Sequence, residues 1–331
     1  MDYFQYQEQD PIKQEYKIQC KVAEGAFGSV FKAIKQNTQQ IVAIKDLFFN
    51  QNKRSKQIVE REVSIMQDLN DHPNIVKLID YQISNNKCSL VMEYIDYDLK
   101  QFIESQVYPL SHSKIKRIAF QLLTGLSFIH SKGIIHRDLK PSNILITNQF
   151  IVKIGDFGSA IKEEQRKDKQ FSIEGFTRWY KSPEQLFGSR EYNYEIDIWS
   201  FACIYAEIIQ GYPLFSGNNE IEQIAKISDL LGNPCEENWP SIVKMPDYGK
   251  ILFKQKQKKN LSTLFSQASE KEIEFLNSML KYDNRPTAEQ LLQSEYFKDD
   301  SVPLKLQNKS IILPPKHEDK IYFNYTSVLK K

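Results

Sequence analysis

HRDLKPSNILITNQFIVKIGDFG, residues 136–158, decides how the rest of the chain is read. NILIT (143–147) and FIVKI (150–154) have strand composition and are separated by Asn148 and Gln149, which predicts a hairpin with a two-residue turn. Such a hairpin brings Asn143 and Asp156 together at its open end, with Asp138 just upstream and Lys140 beside it. Two converging oxygen-bearing side chains suit a hard divalent cation such as magnesium, which then needs phosphate oxygens to complete its shell. Capping or turn roles explain Asn143 or Asp156 singly, but explain four polar groups at one hairpin mouth poorly.

Upstream, the runs YKIQCKV, GSVFKAI, IVAIKDLFF and CSLVMEY, between Tyr16 and Tyr94, read as strands divided by the turn-like NTQQ and SNNK. One helix interrupts them at 55–69, where Val59, Val63, Met66 and Leu69 recur at helical spacing behind Ser55 as N-cap. Glu62 falls on the side of that apolar stripe, and an inward-facing charge needs a partner. Lys45, at the end of the VAIK strand, is a candidate, although a surface Glu and a solvated Lys fit the same spacing. In VAEGAFGSV (22–30), Gly25 and Gly28 permit either a plain turn or close approach of backbone amides to an anion.

Downstream of residue 98 the pattern becomes helical, as in 113–133 and in EIDIWSFACIYAEIIQG (195–211), which Gly211 and Pro213 close. The switch from strands to helices predicts an α+β chain of two lobes: a small β-rich N-lobe (16–94) and a larger helical C-lobe (98–298). Residues 1–15 read as a loose polar arm, and 299–331, with Pro303, Pro314 and Pro315, as a C-terminal tail. The KQKQKK run at 254–259 is a solvated loop or a docking patch.

The 331 residues carry 44 Lys+Arg against 42 Asp+Glu, a net charge of +2, which gives no whole-protein field to argue for nucleic acid or an anionic membrane as partner. A 41% hydrophobic fraction excludes a wholly disordered chain and leaves activity to local sites. Cys20, Cys88, Cys203 and Cys235 form no CxxC pair and read as reduced thiols. MDYFQYQEQD lacks a basic-then-apolar leader pattern and no run of about 18 apolar residues occurs, so an intracellular protein with no membrane partner is expected.

Taken in order, AEGAFGSV, VAIK, Glu62, HRDLKPSN, DFG and SPE resemble the motif set of the eukaryotic protein kinases over about residues 16–298. The resemblance implies the two-lobed kinase fold, ATP and Mg2+ as cofactors, and transfer of phosphate to protein Ser or Thr. It implies that Gly25 and Gly28 cover the ATP phosphates, Lys45 holds the α and β phosphates paired with Glu62, Asp138 accepts or orients the substrate hydroxyl proton, Lys140 stabilises the transferring phosphoryl, and Asn143 and Asp156 hold magnesium. Around the nucleotide it places Val22, Ala23, Glu24, Ala26, Phe27, Ser29 and Val30 of the glycine loop, Met92, Glu93, Ile95 and Asp98 of the linker region, and Ala43 and Leu145, which with Val22 and Val30 sandwich the purine.

TRWYKSPE (177–184), IDIWSFACI (196–204) and PLFSGNNEIEQIAKISDLLGNP (213–234) are similar to the cyclin-dependent and MAP kinase branch, whose members are usually proline-directed. EREVSIM, GNNEIEQI and MPDYGKILFK resemble the cell-cycle-related cyclin-dependent kinase subgroup, which implies roles in the cell cycle or cilia, location in cytoplasm, nucleus or cilium, a cyclin-like subunit and an activating kinase. Phe171-Ser172-Ile173 offers no Thr-x-Tyr pair, which argues against a MAP-kinase-like enzyme. An intact catalytic set argues against a silent scaffold.

Ser172 is the expected activation-loop phosphosite, an alternative being a serine that is never modified. Arg61 and Arg137 match two of the three arginines that would bind its phosphate. Ile161 stands in place of the third, leaving Lys162 as a point charge. Ala26 and Phe27 replace the inhibitory Thr and Tyr of many cell-cycle kinases, Lys181 replaces the arginine of WYRAPE, and Glu184 and Arg285 are expected to form a buried pair.

Overall fold

A computed structural model describes residues 11–25, 28–49, 53–84, 86–106, 109–165, 178–191 and 193–298. Its contacts group into two compact units, the chain passing from the smaller to the larger for the last time within the described residues at Tyr94 and Ile95. The division is not linear: Gln57–Lys77 belong to the larger unit.

The smaller unit begins with α1 (Pro11–Glu15) and holds an antiparallel sheet of β1 (Tyr16–Gly25), β2 (Gly28–Lys35), β3 (Ile41–Phe48), β4 (Leu78–Ile83) and β5 (Lys87–Glu93), in the order β1-β2-β3-β5-β4. Four of the strands answer the alternating runs. The edge strand β4 does not, because LIDYQI is polar and half exposed and has no clean two-residue period. The end of the expected loose arm is also ordered. Ile12 on α1 is 6% exposed and packs with Tyr16, Ala33, Val42, Ile44 and Val91, so burial of one branched side chain fixes this turn.

A helix, α2 (Lys53–Asp68), follows β3 and starts two residues before Ser55, which is therefore not its cap. Its stripe is as expected: Val59, Val63, Met66 and Leu69 are buried, with Glu62 among them at 3% exposure.

In the larger unit, β6 (Tyr97–Asp98) leads into α3 (Leu99–Ser105) and α4 (His112–Ser131), then β7 (Ile134–Ile135), the hairpin β8 (Ile144–Ile146) and β9 (Val152–Ile154), and β10 (Ile161–Lys162). The helices α5 (Pro183–Leu186), α6 (Glu195–Gln210), α7 (Glu220–Leu231), α8 (Leu261–Leu264), α9 (Glu270–Met279), α10 (Ala288–Leu292) and α11 (Glu295–Lys298) complete it. The central helix α6 is buried almost all round, from Ile196 to Ile209, and Ala202 sits in it at 0% exposure. Gly211, at φ 90°, ends α6 in the left-handed conformation that favours glycine. All four cysteines are free, and no described helix is long and apolar enough to cross a membrane.

Candidate active site

The β8–β9 hairpin pairs Ile144 with Ile154, Leu145 with Lys153 and Ile146 with Val152. Its turn differs from the expected two residues. Thr147 N–H bonds to Ile151 O at 2.9 Å, so Asn148, Gln149 and Phe150 form a three-residue loop. Phe150 takes the left-handed position at φ 58°, where glycine is usual, because its ring is buried edge-on against Phe102 at 5.5 Å. Packing outweighs local preference here.

At the open end, Gly155 N–H bonds to Asn143 O at 2.9 Å, which fixes Asn143 and Asp156 next to one another. Asn143 Nδ2 donates to Asp138 O at 2.9 Å and to Asp138 Oδ2 at 3.2 Å, so its amide oxygen is turned away from Asp138. Lys140 Nζ lies 2.7 Å from the same Oδ2. Burial raises the Asp138 pKa from its ordinary value, Lys140 and His136 oppose that rise, and Asp156 adds to it. Asp138, Lys140, Asn143 and Asp156 thus converge as their spacing implied. The amide oxygen of Asn143 and the carboxylate of Asp156 are hard donors that fit a magnesium ion.

The group that holds this loop was not among the expected site residues. Asp197, fully buried at the start of α6, accepts from the backbone N–H groups of His136 (2.9 Å) and Arg137 (2.8 Å), and its Oδ2 lies 2.9 Å from His130 Nε2. Burial alone would raise its pKa, but these hydrogen bonds and the two histidines lower it, so it stays charged. These bonds hold Arg137 at φ 69°. Its sequence signal was slight: one of three acidic residues, with Glu195 and Glu207, in a helix that is mostly apolar. Asn74 acts similarly on the hairpin: Ile154 N–H bonds to its backbone O at 2.9 Å and its Nδ2 donates to Val152 O at 2.7 Å. Gly125 of α4 makes room for that segment, since a Cβ there would lie 2.9 Å from Asn74 O.

In the smaller unit, β1 pairs Ala23 with Val30, Glu24 with Ser29 and Gly25 with Gly28. Gly28 has a structural duty of its own: a Cβ would fall 1.7 Å from Asp46 O of β3. Close packing against β3 is thus a third reason for glycine here, beside the turn and the anion approach. Glu24 is exposed and paired with Lys21 at 2.9 Å, Val22 is half-buried, and Ala26 and Phe27 lie outside the described residues. The register sets Lys45 between Val30 and Leu90, and Ala43 between Lys32 and Met92, so these side chains share one face. Glu93 ends β5.

In the larger unit, Ile95 and Leu145 are half-buried. Asp98 caps α3, its Oδ1 accepting from Gln101 N–H at 2.7 Å, and burial pushes its pKa up to about 6. One of its carboxylate oxygens is thus engaged by the helix N-terminus.

Of the expected phosphate ligands, Arg61 Nη2 donates to Gly158 O at 3.3 Å and Arg137 Nε to Ser159 O at 2.6 Å. Lys162, the point charge beside the missing arginine, has its Nζ 2.8 Å from Asp68 Oδ2. Ile161 is buried with Ile135 and Ile196, an apolar site that holds no cation. Ser172 lies outside the described residues. Arg285 and Glu184 form the expected bidentate pair, at 2.7 and 3.0 Å, and Lys181 Nζ is 3.1 Å from Glu220 Oε1.

The strand-rich unit and the helical unit are those of a phosphotransferase of the kinase class. The protein kinase domain model matches residues 16–297, and the chain belongs to the protein kinases, as a serine/threonine kinase of the cyclin-dependent type. It is 36% identical over 292 residues to cyclin-dependent kinase 20 of Danio rerio, covering 87% of this chain and 85% of that one. It is 38% identical over 283 residues to cell division control protein 2 homolog 3 of Trypanosoma brucei brucei (84% and 90%), and 35% identical over 297 residues to human cyclin-dependent kinase 11A (88% and 38%). The family's cofactors are ATP and, typically, Mg2+.

Proposed function

We propose that this kinase transfers the γ-phosphoryl group of Mg·ATP to a serine or threonine followed by proline, with Asp138 as the base. The carrying observation is the Asp138 carboxylate, oriented by Lys140 Nζ at 2.7 Å and Asn143 Nδ2 at 3.2 Å beside Asp156. The substrate oxygen attacks the γ-phosphorus, the bond from that phosphorus to the β,γ-bridging oxygen breaks, ADP leaves, and the hydroxyl proton passes to Asp138. A base raised by burial and held by a cation is suited to that proton. Lys140 faces charge on the transferring group, and Asn143 and Asp156 would hold magnesium, which neutralises phosphate charge when bound.

Lys45, Glu62, the glycine-loop residues, Ala43, Met92, Glu93, Ile95, Asp98 and Leu145 take the nucleotide roles that the resemblance gives them. Ser172 is the activating phosphosite, with Arg61 and Arg137 for its phosphate. The relatives' names support a cyclin-like subunit, and the subgroup resemblance supports work in the cell cycle or at the cilium, in cytoplasm, nucleus or cilium.

The test is transfer of labelled phosphate by the purified full chain, Asp138→Asn and Lys45→Met, to peptides differing only as Ser-Pro or Ser-Ala. The expected result is transfer by wild type alone, to Ser-Pro alone. Turnover retained in either variant sinks its assigned role. Equal use of both peptides sinks proline direction and points to Lys181, whose cation is engaged by Glu220.

A further inference from the structure

Helix α2 presents Arg61, Ser64 and Asp68 along one face, at i, i+3 and i+7. All three meet the segment that follows the magnesium-binding aspartate. Arg61 Nη2 donates to Gly158 O at 3.3 Å, Lys162 Nζ donates to Ser64 Oγ at 3.4 Å, and Lys162 Nζ lies 2.8 Å from Asp68 Oδ2. The segment is also held from its other side: β10 pairs with β7, Arg137 Nε donates to Ser159 O at 2.6 Å, and Glu163 N–H donates to Gly133 O at 2.7 Å. Between the two ends of this seam lies Glu62, whose Oε2 would be only 3.1 Å from a Cβ placed on Gly158.

From this we infer that Lys162 and Asp68 are positioning residues for phosphoryl transfer, an ion-pair latch that sets Glu62 and the 156–158 turn in register. The physical argument is geometric. Arg61 ties the turn of α2 beside Glu62 to Gly158, while the buried Val59, Val63, Met66 and Leu69 pack the helix as a whole. A second polar attachment about two turns along ties the far end of the same face to the same segment. Lys162 supplies it from the strand next to the buried Ile161, so the cation is carried by a backbone that is itself paired. In this chain the pair lies one residue beyond Ile161, which stands where the resemblance expects an arginine.

The inference rests on the reading of Asp138, Asn143 and Asp156 as the reacting constellation. Side-chain exposures of 29% for Lys162 and 45% for Asp68 leave the pair open to water and salt, so each neutral variant should lose about two- to fivefold in kcat, with KM for the peptide unchanged.

The test uses the full chain as Asp68→Asn, Lys162→Met, Asp68→Lys, Lys162→Asp and the double exchange Asp68→Lys/Lys162→Asp. Steady-state kinetics are read together with amide hydrogen exchange over residues 62–68 and 158–162. The expected result is a kcat loss in each single variant, largest in the charge reversals, loss of exchange protection at both segments, and recovery of both readouts in the double exchange. Full turnover in the single variants, or a double exchange no better than the worse single, overturns the latch. Should the wild type transfer no phosphate, the catalytic reading fails. Exchange then judges the latch alone, and protection unchanged in Asp68→Lys rejects it.

Discussion

Glu207 to Gln should remove a pH dependence of stability amounting to about 3 kcal/mol. Glu207 lies on α6 at 4% exposure and accepts the hydroxyl of Tyr180 at 2.6 Å. Burial pushes its pKa from the ordinary 4.5 to about 7; the Tyr180 hydrogen bond and Lys100 oppose the rise, and Glu104 adds to it. Below pH 4.5 the carboxyl is protonated in both the folded and the unfolded chain and contributes no pH dependence. Between 4.5 and 7 the unfolded chain gives up the proton while the fold keeps it, so stability falls as pH rises. Above 7 both states are ionised and the deficit is constant. A displacement of about 2.5 units at ~1.4 kcal/mol each gives about 3 kcal/mol. The glutamine keeps an acceptor for Tyr180 and cannot titrate. Urea unfolding followed by tryptophan fluorescence, at steps from pH 5 to 8, should show the variant gaining about 2 to 3 kcal/mol on the wild type across that range. Groups common to both proteins, Asp98 among them, cancel in the difference. Parallel stability curves would refute the argument, since they would mean that Glu207 is hydrated enough to titrate normally in the fold.

Arg285 to Ala should destabilise by about 3–5 kcal/mol, because it leaves Glu184 without its bidentate partner and frees the backbone oxygens of Lys281, Glu195 and Tyr282; thermal unfolding checks this. Arg285 to Lys should recover only part of the loss, as an ammonium cannot make the fork. At Phe150 the usual order of small residues should invert. Phe150→Ala loses about 3 kcal/mol or more of packing, and Phe150→Gly should be about 1 kcal/mol more stable than the alanine form, since φ 58° suits glycine. Chemical denaturation of the pair decides it.

Much of the site was legible because its residues are close in sequence. Asp138, Lys140, Asn143 and Asp156 are separated by one short hairpin, and strand pairing alone brings Asn143 and Asp156 together. The periodicity of α2 likewise turned Glu62 inward with Val59, Val63 and Met66 before any packing was known. What misled was local. A two-residue turn follows from Asn148-Gln149, yet burial of Phe150 against Phe102 moved the turn by one residue. A polar edge strand such as β4 hides its pairing, because its partner β5 supplies the order that its own pattern lacks.

By itself the sequence determined the chemistry: which side chains are present, their motif order, and the switch from two-residue to helical periodicity that separates strands from helices. Only the tertiary structure decided what holds them. Asp197 reaches back some 60 residues to the backbone of His136 and Arg137, and Arg285 reaches 101 residues to Glu184. Lys162, read in the linear chain as a point charge beside the missing arginine, is engaged by Asp68. Periodicity reports which face of an element is buried, whereas the partner of a buried or paired charge is chosen by distance in the folded chain, over sequence separations that no local pattern encodes.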